Sequence, residues 1–165
     1  MMKILNINNL DVFLVSFILI FFGSLELAGG LYGKKSLRNK NDWYVELISS
    51  FQLLILMKPI IFTSTTIILY KLFPGYFSRF SNVSLYASTF LIIIGDDFLQ
   101  YWYHRAAHSW NWLWKLHRPH HVAREMGVLV SYRNALLYYI LMPNIWWLSF
   151  ANYLGLYQQV LIAVV

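Results

Sequence analysis

Residues 97–121 decide how this chain is read: Asp97-Phe-Leu-Gln-Tyr-Trp-Tyr-His104-Arg-Ala-Ala-His108-Ser-Trp-Asn-Trp-Leu-Trp-Lys-Leu-His117-Arg-Pro-His120-His121. All five histidines of the protein lie in this stretch. His104 and His108 are four apart, so on a helix they share a face, with Cβ atoms roughly 5–6 Å from each other. His117, His120 and His121 repeat that geometry at i, i+3 and i+4. Pro119 is compatible with a helix that begins near Leu116, because the first turn tolerates a missing N–H. Residues 109–116 then form a connector that folds the second histidine group back toward the first. Neutral imidazoles converging from two helices suit a borderline metal such as iron, zinc or copper. Asp97 precedes His104 by seven positions, a drift of only about 20° around a helix. It is therefore placed to orient a ligating imidazole or to bind metal directly.

Composition around this stretch points to a membrane. The chain has 165 residues, enough for one ordinary domain. Its apolar fraction is 59% and its charged fraction 12%, where a soluble domain carries about a quarter charged residues. Aromatics at 19% suit long water–lipid boundaries. The absence of cysteine excludes disulfides, thiolate metal sites and a Cys nucleophile, so any metal site uses nitrogen and oxygen ligands. The net charge of +6 raises the question of nucleic acid. The basic residues form no helical stripe, however, and sit in short runs between apolar stretches, as loops beside membrane spans do.

Four apolar segments predict an all-α, multi-pass membrane protein: 12–33, 43–70, 83–103 and 135–165. The first is long enough to cross a hydrocarbon core of roughly 30 Å and lacks a cleavage site, so it reads as a retained span. The second carries Glu46 and Lys58-Pro59, and is either one tilted, kinked span or a re-entrant hairpin. The third is charged only at Asp96 and Asp97. The fourth has no charge, and Pro143-Asn144 predicts a break. Lys34, Lys35, Arg38 and Lys40 put the first loop in the cytosol, and Arg105, Lys115, Arg118, Arg124 and Arg133 put the histidine region there too. The segments divide the chain into N-terminal spans over 1–82 and a histidine-bearing domain over 83–165. Glu26 and Glu46 read as interfacial or helix-facing, and Asp96 as a helix end reaching water. The aromatics around the histidines read as an interface belt, and Arg105, Arg118 and Arg124 as lipid-phosphate anchors or contacts for a partner.

H-x3-H, eight residues, then H-x2-H-H resembles the first two histidine boxes of the fatty acid hydroxylase (sterol desaturase) superfamily. Asp97, Tyr101-Trp102-Tyr103, Arg105, Leu113-Trp114 and Met126-Gly127-Val128-Leu129 leading to Arg133-Asn134 resemble the text around those boxes. The resemblance implies a membrane-bound, non-haem di-iron oxidoreductase that uses O2 to hydroxylate or desaturate a fatty acyl chain, sterol or related lipid in lipid biosynthesis. It implies iron ligation by His104, His108, His117, His120 and His121, and electrons from a cytochrome b5-like or ferredoxin-like donor. The family's third box has no counterpart after His121, and Ala135-Leu136 stands where many relatives carry His and Pro. The chain is thus expected to be truncated before that box, with ligands for one metal and not for two. The competing reading is an inactive membrane remnant that binds at most one metal. A bis-His haem protein accounts for two histidines and leaves three unexplained.

Overall fold

A computed structural model describes residues 9–29 and 37–164. Lys34 and Lys35, half of the basic cluster used to orient the first loop, lie outside the described residues, as do the last residues of the first apolar segment. Among the described residues all regular structure is helical, as expected, and there is no strand.

The first helix, α1, runs Asn9–Ala28 and presents Phe17, Ile20, Phe21, Phe22, Leu25 and Leu27 outward. Helix α2 (Lys40–Phe51) opens with a capping box: Asn39 accepts from the Asp42 N–H, and the Asp42 carboxylate accepts from the Asn39 N–H. It continues without a break through a π-helical stretch, Gln52–Met57, into α3 (Lys58–Leu72). Pro59 has no N–H to return to the preceding turn, and its ring crowds a carbonyl there. The widened turn just before it absorbs that clash, with the Lys58 N–H reaching back to the Leu53 carbonyl. The second apolar segment is therefore one helix and not a hairpin. At 33 residues, Lys40–Leu72 is long and apolar enough to cross a membrane.

Helix α4 (Leu85–Ser109) and helix α5 (Asn111–His121) meet at Trp110, whose extended backbone is the whole connection. This corrects the expected connector over 109–116 and the expected helix start near Leu116. Trp110 turns the chain in one residue, and Pro119 lies in the last turns of α5, where its missing N–H removes the helical bond to the Lys115 carbonyl. A short 3-10 stretch (Val128–Tyr132) leads to α6 (Leu136–Leu141), α7 (Pro143–Tyr153) and α8 (Tyr157–Val164).

Among the described residues the fourth apolar segment forms three helices. The predicted break falls at Met142, whose extended backbone suits the residue before Pro143. A second break is set by Gly155 at φ +95°, where a Cβ would stand 2.8 Å from the Ser78 Cα.

Helix α7 packs on α3 and α4, and α8 folds back along α4. Gly95 lets α4 and α7 approach: a Cβ there would meet the Trp147 indole at 2.8 Å, and that indole N–H donates to the Ile92 carbonyl at 3.2 Å. One core gathers Leu53, Ile61, Ala107, Leu113, Tyr138, Tyr139 and Ile145. It packs the C-terminal end of α4 and the face of α5 that carries His117 against α3 and α6.

A buried ion cluster ties the chain before α2 to the segment after the histidines. Arg38 Nε lies 3.3 Å from Glu46, and Arg38 Nη1 3.2 Å from Glu125. Arg133 Nη2 lies 3.0 Å from Asp42, and Arg133 Nη1 3.6 Å from Glu46. Glu46 is 0% exposed. Of the two readings the sequence left open for Glu46, the structure takes the inward-facing one: it is the centre of a charge cluster, and Arg38 is buried within it. Glu26 accepts from the Val128 N–H, so it too points inward.

Candidate metal centre

The sharp turn at Trp110 lays α5 back against the end of α4, and each helix presents an i, i+4 histidine pair to the other. His104 and His108 project from α4, His117 and His121 from α5. One ring nitrogen from each of the four lies within 4.8 Å of all the others. Within each helix the pair is closer: Nε2 to Nε2 is 3.0 Å for His104–His108 and 3.0 Å for His117–His121. Between helices the ring centroids are 4.6 Å apart for His104–His117 and 4.6 Å for His108–His121. Four nitrogens about 2.0–2.1 Å from one tetrahedral ion would stand roughly 3.4 Å apart, inside the range these four already span. The donor set fits a first-row metal with borderline character.

Protonation favours the same use. Burial drives His117 down to about 4, and the neighbouring His104, His121 and His120 push the same way against the pull of Asn134. His104 and His121 are lowered as well, first by desolvation among the packed rings and then by neighbouring imidazoles. All three are neutral at pH 7 and each offers a lone pair.

The surroundings fix the ring of His117, which is 2% exposed. Its Nδ1 lies 2.9 Å from the Asn134 side-chain oxygen. A carbonyl oxygen only accepts, so Nδ1 carries the proton and Nε2 is left with a lone pair. Tyr138 stacks on its face at 4.9 Å with planes 15° apart, and the Tyr103 hydroxyl donates to the Tyr138 carbonyl at 2.9 Å. Trp114 covers the rings of His108 at 5.1 Å and His121 at 5.3 Å.

The remaining two candidate ligands sit apart from the four. His120 stacks beside His117 at 5.3 Å, and its Nδ1 donates to the Val130 carbonyl at 2.9 Å, which leaves its Nε2 for another partner. Asp97 lies on an open groove with Gln100, Tyr101, His104 and Arg105. It shares a face with His104 as its spacing implies, but stands outside the four-imidazole group. Asn134 was legible only as part of a motif. Nothing in its spacing announces that it bonds a histidine 17 positions earlier.

Residues 89–165 match the fatty acid hydroxylase family. That match covers the segment that carries the four converging histidines and supports membership of the fatty acid hydroxylase/sterol desaturase superfamily. No solved structure matches the chain.

Proposed function

We propose that this chain is a multi-pass membrane protein whose histidine pairs face the cytosol and hold iron for O2-dependent hydroxylation or desaturation of a lipid. The observation that carries the reading is the meeting of His104, His108, His117 and His121 from two helices inside the segment that matches the family. Bound iron would supply the activation of O2 and the oxidation of an unactivated C–H bond. The chain's own residues do the rest. Neutral imidazoles provide nitrogen donors without competing protons, and Asn134 keeps the His117 proton on Nδ1, away from the ion. Tyr138 covers the buried ring of His117, and Trp114 packs against His108 and His121, which stay open to solvent together with His104. His120 and Asp97 are proposed as further ligands or orienting groups, the first through its unused Nε2 and the second from the groove beside His104.

The location of the pairs suits a lipid substrate. The apolar stretch of α4 ends within a turn or two of His104, and Phe98, Tyr101, Trp102, Trp110 and Trp112 are exposed around it. Such aromatics favour the water–lipid boundary, so an acyl chain can stay in the bilayer while its reacting carbon reaches the imidazoles. An external cytochrome b5-like or ferredoxin-like protein would deliver electrons from the cytosolic side, where Arg105, Arg118 and Arg124 present positive charge.

A second reading is a membrane protein that binds one metal without turnover. It is favoured by the ligand arithmetic: the described residues bring four imidazoles to one point, enough for one ion and not for two. Expression under 18O2 in a host of known lipid composition, beside a His104→Ala/His117→Ala control, separates the two. Lipids that gain 18O or a new double bond only with the unsubstituted chain support the oxygenase. Unchanged lipids together with one metal per purified chain support the second reading.

A further inference from the structure

One side of α4 is open along its length and changes character as it nears the imidazoles. Tyr86, Phe90, Ile93 and Ile94 recur at helical steps of three and four, so they share that side, and all four are exposed. The same steps continue to Asp97, Gln100, Tyr101, His104 and Arg105, which line one open groove. The opposite side is spent on the fold. There Ile92 clusters with Leu148 and Val160, Ser88 accepts from Gln159 at 3.0 Å, and Gly95 faces the Trp147 ring. The open stripe is therefore apolar where α4 would lie in hydrocarbon, and polar over its last turns before the metal cluster.

The polar groups of the groove are partly committed, and what remains defines a ligand. The Gln100 side-chain oxygen accepts from Asn144 at 3.3 Å, which leaves its NH2 to donate. The Tyr101 hydroxyl accepts from Arg105 at 3.1 Å and keeps its own proton to give. That bond draws the guanidinium back along the helix toward Asp97. One carboxylate and one guanidinium balance each other. An alkyl end threaded past these groups would remove their water and replace none of its bonds. A head that both donates and accepts would satisfy them, whereas a carboxylate would face Asp97 and an ammonium would face Arg105.

Resting on the reading that the imidazoles serve a lipid oxygenase, we infer that this groove seats the polar end of the substrate, an uncharged head such as a hydroxyl or a carboxamide. The tail runs back along Ile94, Phe90 and Tyr86 into the bilayer. The carbons presented to His104 are then those within a few bonds of the head, and the far end of the chain stays away from the metal cluster. Asp97 can orient an imidazole and still accept from the head, because a carboxylate has two oxygens.

The test needs no turnover. The full chain in nanodiscs is irradiated with 16-carbon alcohols that carry a diazirine on carbon 3 or on carbon 15, and the labelled residues are located by mass spectrometry. Only labelling removed by excess hexadecan-1-ol is counted. The carbon-3 probe should label residues 97–105 and the carbon-15 probe residues 86–94. Hexadecanamide should compete as well as the alcohol, and hexadecanoate and hexadecylammonium at least about tenfold less well, because each sets like charges together. Asp97→Asn should bring hexadecanoate to within about threefold of the alcohol, and Arg105→Gln should do the same for hexadecylammonium.

Carbon-15 labelling inside the groove would reverse the order of head and tail and overturn the inference. So would a charged competitor that outdoes the alcohol, or an order of competition that neither variant changes. Absence of any competable labelling would reduce the groove to bare lipid-facing surface and overturn it as well. Unchanged lipids in the 18O2 experiment would instead sink the oxygenase reading, while crosslinks and competition still decide what the groove holds.

Discussion

Arg133 Nη2 stands 3.0 Å from Asp42 Oδ1, joining residues 91 positions apart. The pair fastens the first turn of α2 to the residue immediately before Asn134, and the Ser49 hydroxyl adds a bond to the Asn134 carbonyl at 3.4 Å. Helix α2 belongs to the apolar N-terminal half of the chain, outside the segment that matches the family. It nevertheless holds the backbone from which His117 is oriented. The histidine pairs come from α4 and α5, but their setting is built from both halves.

That dependence predicts a large effect for Glu46, which lies between Arg38 and Arg133 in the ion cluster. Removing one member of a buried charge group leaves its partners uncompensated, typically at about 3–5 kcal/mol. Glu46→Leu should lower the thermal unfolding midpoint of the detergent-solubilised protein by many degrees, whereas Lys40→Leu, at an exposed position on the same helix, should change it little. A Glu46→Leu protein as stable as the parent would remove the cluster from any account of how Asn134 is held.

The metal reading distinguishes the five histidines by position. His104→Ala, His108→Ala, His117→Ala and His121→Ala should each abolish retention of the first metal equivalent through purification. His120→Ala should retain it, since its ring lies outside the four-imidazole group and its Nδ1 is spent on the Val130 carbonyl. Metal content of the five variants by mass spectrometry checks this. Equal loss in all five would mean that His120 belongs to the first ion's ligand set.

The apoprotein should lose stability on acidification for a reason the sign of the shift fixes. The folded His117 takes up a proton only near 4, while in an unfolded chain it does so near its ordinary value of about 6.5. Between those values the unfolded state binds the extra proton, so stability present above pH 6.5 is lost as pH falls toward 4. His104 and His121, lowered in the same direction, add to the slope. Unfolding midpoints measured from pH 7.5 to pH 4.5 should fall, and should fall less steeply in His117→Phe. Bound metal should be released over the same window as protons compete for the nitrogens.

Much of this was legible in the sequence, and the remainder divides along one physical line. Local spacing was informative: two i, i+4 histidine pairs predicted a shared face on each helix, and Pro143 predicted a break that falls one residue before it. Information carried by distant partners was not. Glu46 looks like a stray carboxylate in an apolar run, because Arg38 and Arg133 become its neighbours only after folding. Within residues 135–165 Pro143 announces one break, but hydropathy does not register the backbone turn at Gly155, where close approach to Ser78 decides the geometry. Asn134 matters through its bond to His117, a partner that composition and periodicity do not announce.

Close approach at Gly95 gives a test of the packing that seats α4. A methyl group there would stand 2.8 Å from the Trp147 ring, so α7 must shift or the indole must leave its rotamer and its bond to the Ile92 carbonyl. Overpacking of this kind commonly costs about 1–3 kcal/mol. Gly95→Ala should therefore lower the unfolding midpoint, and Gly95→Ala/Trp147→Phe should recover part of the loss by removing the ring atoms that clash. Gly75→Ala, where a Cβ meets nothing within 4 Å, is the matched control.

Orientation in the membrane can be tested directly, because the chain has no cysteine and every introduced thiol is unique. If Lys40–Leu72 crosses once and α4 returns, Lys40, Lys115 and Arg124 lie on the cytosolic side and Arg79, in the loop between α3 and α4, on the opposite side. Single substitutions Lys40→Cys, Lys115→Cys, Arg124→Cys and Arg79→Cys would each be probed with a membrane-impermeant maleimide in sealed right-side-out vesicles. Arg79→Cys should label in intact vesicles, and the other three only after the membrane is opened. Labelling of all four from the same side would mean that Lys40–Leu72 does not cross, and that the protein lies along one face of the membrane. Labelling of Lys115→Cys and Arg124→Cys in intact vesicles would put the histidine pairs away from the cytosol, where the proposed electron donor could not reach them.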